Sequence, residues 1–225
     1  MSPDAEASYS YFRERARDFP KLQANAEAVI ALKPDLIVRT YGGGPNALAF
    51  FERLGVPVLQ IPYAVDFEGV RHAMRVTADA LDRRASAETV TIQMDTRLAN
   101  ARNAARAPLR HLYMTPGGVT SGPGSFIHEI FLAAGHKNYE QRPGWRALPL
   151  ERLARQAPDR TAVAFFDSKD HATDAWTAAR HPLARALLQT DAVAEIDSAF
   201  LACTAWFAVN AVEALALAHN TSAAP

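Results

Sequence analysis

Two glycine-rich turns hold most of the residues whose type and spacing bear on chemistry. The first is Tyr41-Gly42-Gly43-Gly44-Pro45-Asn46-Ala47, which follows an apolar run and opens a helical pattern. Gly42 and Gly44 fit the start of the G-x-G-x-x-G dinucleotide fingerprint, with Ala47 in its third place. The next apolar run, Pro57 to Ile61, ends on Pro62-Tyr63, so no acid stands where a ribose would be held. There is no G-K-[ST], which excludes a P-loop. Three readings of the turn follow: a nucleotide site on Gly42–Gly44, a low wall that lets another ligand approach the backbone, or a tight turn without a ligand.

The second turn is GGVTSGPGSF, residues 117 to 126. Five of its ten positions are Gly or Pro, a density that predicts irregular backbone. Thr120 and Ser121 offer hydroxyls there, Gly122 and Gly124 permit close backbone approach, and the helix that follows starts with free N–H groups. That set suits an acceptor-rich ligand; a plain strand-to-helix connection is the other reading.

Catalytic and metal chemistry find little footing. His128-Glu129 begins like H-E-x-x-H, but Leu132 takes the second histidine's place, and the remaining histidines are scattered with no i, i+4 pair. Ser121 and Ser125 lack a G-x-S-x-G elbow. Cys203, the single cysteine, lies in an apolar stretch and is expected in the core. No catalytic residue and no resident metal or cofactor is predicted. Aromatic side chains are more informative. Tyr41 abuts the first glycine turn, Tyr63 ends the next strand, Trp145 sits in a Pro/Gly loop and Phe200 follows the last strand. Placed alike at strand ends, they suit a large, partly apolar cargo.

The elements that must position these residues can be read from hydrophobic period. Residues 22 to 32 read as a helix capped by Asn25 and ended by Lys33-Pro34, followed by a strand at 35 to 38. A helix from Pro45 to Leu54 and a strand at 57 to 61 repeat the unit, which implies parallel pairing. Helical pattern then runs from Val65 to Leu81, breaks at 82 to 86, and resumes from Ser86 to Arg106. That second helix would be roughly 31 Å long, the width of a small domain. A second α/β unit follows, with strands at 110 to 114, 162 to 166 and 193 to 196, helices near 126 to 135, 150 and 171 to 189 (the last with a break near Pro182), and a closing apolar helix over 200 to 218. Two glycine turns at carboxyl ends of strands would then flank a cleft, where open α/β sheets bind ligands.

Composition bounds the function. Apolar residues make up 49% and charged residues 21% of the 225 positions, a globular balance able to fill a sizeable core. Lys+Arg and Asp+Glu are equal at 24 each, which argues against a nucleic-acid partner. The 200–218 stretch is interrupted by Asn210 and Glu213, against a membrane span. The first residues show no apolar signal region.

The order of motifs resembles one family. ALKPDLIV, a glycine turn and F-x-R-L-G-V-P-V are similar to the first lobe of class III periplasmic solute-binding proteins, which serve ABC importers of vitamin B12, ferric siderophores and haem. TSGPGSFIHEIFLAAGHKN and GWRALPLERLARQAPDRTAVAF are similar to that family's second lobe, and residues 86 to 106 to its interlobe helix. The resemblance, which covers about residues 20 to 218, implies two Rossmann-like α/β lobes joined by a long helix. They would divide as an N-terminal lobe at 1–64, a helical connector at 65–107 and a C-terminal lobe at 108–225. The first lobe would lack its first strand-helix unit, and the family's secretion signal is not seen. The implied function is periplasmic capture of cobalamin, a ferric siderophore or a haem-like iron complex, without catalysis. Tyr41 falls where the family's vitamin B12-binding member has a ligand-contacting Trp, and Phe200 where that member again presents an aromatic. With Gly42, Gly43, Tyr63, Thr120, Ser121 and Trp145 they form the expected site, and Arg39, Arg142 and Arg146 are placed to meet an anionic cargo. An ABC permease is the implied partner, docked through Glu52 and through Asp170 or Asp174. A nucleotide-dependent enzyme on Gly42–Gly44 and a ligand-free interaction module are the rival readings.

Overall fold

In the computed structural model of the chain, the described residues are 1–22, 25–40, 46–104, 107–164, 166 and 180–218. After a short 3-10 turn (Pro3–Glu6) and helix α1 (Arg13–Ala16), α2 (Ala26–Ala31) starts where Asn25 Oδ1 accepts the Ala28 N–H at 2.7 Å, the predicted cap. Strand β1 (Ile37–Arg39), α3 (Ala47–Arg53) and β2 (Val58–Gln60) complete the unit. The two strands pair in parallel, Val38 opposite Leu59. Gly55 ends α3 at φ +70°, a conformation glycine adopts without steric cost.

Helix α4 (Phe67–Ala80) is capped by Asp66, whose Oδ1 accepts from Gly69 N at 2.6 Å. The break after it is tighter than the sequence suggests. Asp82 takes φ +51° and α5 (Arg84–Ala104) starts at once, so Ser86 lies inside the helix and does not cap it. Asp is one of the few non-glycine residues that tolerate this conformation. At 21 residues α5 is the long helix expected over 86 to 106.

The larger sheet is all parallel, in the order β5-β3-β7-β8, from β3 (Arg110–Met114), β5 (Lys137–Asn138), β7 (Arg160–Val163) and β8 (Val193–Glu195). Strand β3 alternates as a two-sided strand must. Tyr113 enters a core shared with Phe67 and Val70 of α4, Met94 of α5, Phe131 of α6 (Phe126–Ala133) and Val212 of α9 (Val209–Ala218). Leu112 and Met114 enter a second core with Leu153 of α7 (Leu150–Arg155) and Ala184 of α8 (Pro182–Leu188). Connector and second lobe therefore share one hydrophobic core, which fixes the connector to that lobe.

Three expectations change. The glycine-rich stretch is not irregular throughout: β4 (Val119–Ser121) pairs antiparallel with β6 (Trp145–Ala147) from the Pro/Gly loop. Positive φ at Gly118, Gly124 and Gly144 makes the bends around this ribbon, which a density count of Gly and Pro does not reveal. The 200–218 stretch is helical only from Val209; before it the chain makes 3-10 turns at Ser198–Phe200 and Trp206–Ala208. Asp197 caps the first of these by accepting from Ala199 N at 2.9 Å, which directs the chain into a turn. Cys203, in that irregular segment, is exposed and not in the core. No helix among the described residues is long and apolar enough to cross a membrane.

Candidate functional site

The carboxyl ends of the parallel strands define where a ligand would sit. Beyond β3 the chain turns at Gly118 into the β4–β6 ribbon; beyond β7 lies Phe166; beyond β8 lies the Ser198–Phe200 turn. The N-terminal segment comes over this edge. Tyr9 reaches Phe166 with ring centroids 6.0 Å apart. Tyr11 stacks flat on Phe207, at 4.2 Å and 7°, and meets Trp206 edge-on at 5.7 Å and Phe200 at 6.2 Å. Phe12 packs edge-on against Phe207 at 5.8 Å. Aromatic pairs at such separations each add about 0.5–1.5 kcal/mol beyond burial. Phe207 is buried, whereas Tyr9, Tyr11, Phe166, Phe200 and Trp206 are half-exposed, so the cluster presents aromatic surface as well as holding itself together.

Of the residues expected from the sequence, Phe200 is in this cluster. Trp145 stands on β6, 57% exposed and edge-on to the buried Tyr113 at 6.0 Å. Tyr63 follows β2 and is 74% exposed. Tyr41, Gly42 and Gly43 lie outside the described residues, as do Asp170 and Asp174. Glu52 is exposed on α3, in a groove of about 630 Å³ with Asn46, Ala49 and Arg53.

Thr120 and Ser121 do not present hydroxyls to solvent. Both are 0% exposed, and neither Oγ has a hydrogen-bond partner. Period-2 alternation cannot show this, because β4 is covered on both faces. Gly122 serves packing: a Cβ there would lie 1.9 Å from the Arg142 carbonyl oxygen. Around it, Gly122 N–H donates to Gly144 O at 3.0 Å and Gly144 N–H to Pro123 O at 2.9 Å. Ser125 Oγ donates to Gly122 O at 2.7 Å and accepts from His128 N at 3.3 Å, capping α6. Asn138 Nδ2 donates to Ser121 O at 2.8 Å. The fully buried Glu140 carboxylate accepts from Arg142 N–H at 2.8 Å and from Arg152 Nη2 at 3.2 Å. The second turn is thus a braced support for the Trp145 ribbon.

Arg142 also points its Nε to Glu140 at 3.5 Å, and Arg146 Nη1 donates to Pro143 O at 2.9 Å. Both guanidiniums are partly engaged by the ribbon itself. Burial pushes the Tyr113 phenol up to about 12, so it stays protonated under Trp145. Among the described residues no group of three His, Cys, Asp or Glu is arranged to hold a metal ion.

Sequence reading missed Tyr9, Tyr11, Phe166 and Trp206. Tyr9-Ser10-Tyr11-Phe12 was legible as an aromatic run in a charged segment. Its partners lie about 150 to 200 residues away, and no local period links them.

The sequence signature of the periplasmic binding protein family matches residues 20–199. A vitamin B12-binding protein of Salmonella typhimurium is 27% identical over 176 residues, which is 73% of this chain. That match spans 65% of the relative's length. Among solved structures, the haem-binding RhuT of Roseiflexus sp. RS-1 in its apo form superposes with a TM-score of 0.75 at 21% identity, over 92% of this chain and 85% of that one. The vitamin B12-binding BtuF of Vibrio cholerae gives 0.66 at 18% identity, over 94% and 86%. These structural likenesses establish the two-lobed α/β fold. The chain belongs to the periplasmic binding protein family, whose members bind substrates and are not enzymes.

Proposed function

We propose that the protein is the cargo-capturing component of an ABC importer, acting in the periplasm on cobalamin or on a haem-like or siderophore-type iron complex. The observation that carries this reading is the aromatic wall of Tyr9, Tyr11, Phe166, Phe200 and Trp206 beyond the carboxyl ends of β7 and β8. Flat π-faces suit a macrocycle or chelate and are sequence-cheap sources of contact area. The names of the relatives, which bind vitamin B12 or haem, point the same way. Trp145 and Tyr63 add exposed aromatic surface at other strand ends. Tyr41, Gly42 and Gly43 complete the site from the first lobe, on the sequence reading alone.

Release goes to a permease, with Glu52 as the first-lobe docking acid and Asp170 or Asp174 as the second. No step of bond making is needed, and the protein's own chemistry is recognition. The test is substitution along the wall. Tyr11→Ala, Phe200→Ala and Trp206→Ala are each expected to weaken haemin or cyanocobalamin binding about tenfold, the loss of one stacked ring and its buried area. Unchanged affinity in all three refutes the site.

A further inference from the structure

Two helices far apart in sequence meet at one side chain. Arg97, in the C-terminal half of α5, donates through Nε to Glu213 Oε1 at 2.8 Å and through Nη2 to Glu213 Oε2 and Asn210 Oδ1. Both acceptors are in the first turns of α9. The residues just before α9 are Trp206, Phe207 and Ala208, a 3-10 turn that runs into Val209 without a loop. Phe207 carries the stacked Tyr11, and Trp206 the edge-on contact to it.

We propose that Arg97 is a positioning residue that locks the interlobe helix to the aromatic wall, and so sets the orientation of Trp206 and Tyr11 for cargo. This rests on the cargo-binding reading above. A bidentate guanidinium–carboxylate fork fixes geometry in a way a point charge does not. Asn210 occupies a remaining direction of the same guanidinium, so the first turn of α9 is held at two points one helical turn apart. Arg97 is held charged chiefly by its hydrogen bonds to Glu213 and by the charge of that carboxylate, against a partial loss of solvation. The clamp thus ties α5 to the helix whose start continues directly from the Trp206 turn.

The test has one readout that needs no ligand. With Trp145→Phe and Trp176→Phe, Trp206 is left as the sole tryptophan of three. Arg97→Met in that background is expected to raise acrylamide quenching of Trp206 about twofold, because the unclamped turn opens locally. In the otherwise native chain Arg97→Met should weaken haemin or cyanocobalamin binding about tenfold, the order of a lost charge-assisted contact. Arg97→Lys should recover only part of it, since lysine lacks the fork. In the Trp206→Ala background the Arg97→Met loss should shrink to under about twofold. Unchanged Trp206 quenching in a folded Arg97→Met protein overturns the proposal, as does an equal affinity loss in the presence and absence of Trp206. Should Arg97→Met not fold, the same readouts on Arg97→Lys decide it. Raised quenching in a protein whose wild type binds none of haemin, cyanocobalamin or ferric hydroxamate supports the clamp and removes the cargo reading instead.

Discussion

Substituting Gly122 by alanine tests the braced ribbon most sharply. An added Cβ meets the Arg142 carbonyl oxygen at 1.9 Å, its carbonyl carbon at 2.9 Å and Glu140 Cγ at 3.3 Å. The first two atoms are backbone, so no rotamer change relieves the clash. Residues 140–146 must move, and the paired bonds Gly122 N–H to Gly144 O and Gly144 N–H to Pro123 O stretch with them. Overpacking of this kind costs about 1–3 kcal/mol, and each strained bond adds a fraction of the roughly 1 kcal/mol it contributes. A total of about 2–3 kcal/mol corresponds to a fall in Tm of roughly 4–12 °C for a domain of this size. Differential scanning fluorimetry reads that fall, and the Trp145 emission should shift red as the ribbon lifts from Tyr113. Gly117→Ala is the control: its nearest atom is Thr115 Oγ1 at 3.8 Å and its φ is not positive. The reasoning is refuted if Gly122→Ala melts with Gly117→Ala, because the close approach would then not exist in solution.

Other expectations follow from single contacts. Glu140→Gln leaves Arg152 facing a neutral amide in place of a buried carboxylate and is expected to cost about 1–3 kcal/mol in urea unfolding. Ser125→Ala removes the α6 cap and should cost about 1 kcal/mol, whereas Ser125→Asp should retain most of it. Asp159 is held below its usual carboxylate range, chiefly by hydrogen bonds from Arg110. Its contribution is therefore complete above pH 3.8 or so and is lost as pH falls through the lower folded value. Asp159→Asn should thus lower stability at pH 7 slightly and flatten the acid limb, a small effect because the pair is a third exposed.

Local signals carried much of the architecture. Asn25, Gly55 and Pro182 mark element ends, and β3 falls on Arg110–Met114 because a five-residue apolar-rich run is bounded by Pro108 and Gly117. What was not legible depends on contacts across the chain. β4 and β6 are three residues each and owe their regularity to one another. Gly122 reads as a place for ligand approach until the Arg142 carbonyl is seen filling it. Phe200 was findable as an aromatic after the last strand, but the segment that covers it, Tyr9 to Phe12, comes from the opposite end of the sequence. Thr120 and Ser121 show the same limit: residue type suggests a hydroxyl donor, and only packing shows it buried.

The central claim is tested most directly by an equilibrium titration of the intact protein with haemin, cyanocobalamin, a ferric hydroxamate and NADH, followed by tryptophan emission. The account predicts saturable binding of at least one of the first three, none of NADH, and loss of the signal in Tyr11→Ala/Trp206→Ala. Saturable binding of NADH alone, or cargo binding that the double variant leaves intact, would contradict it.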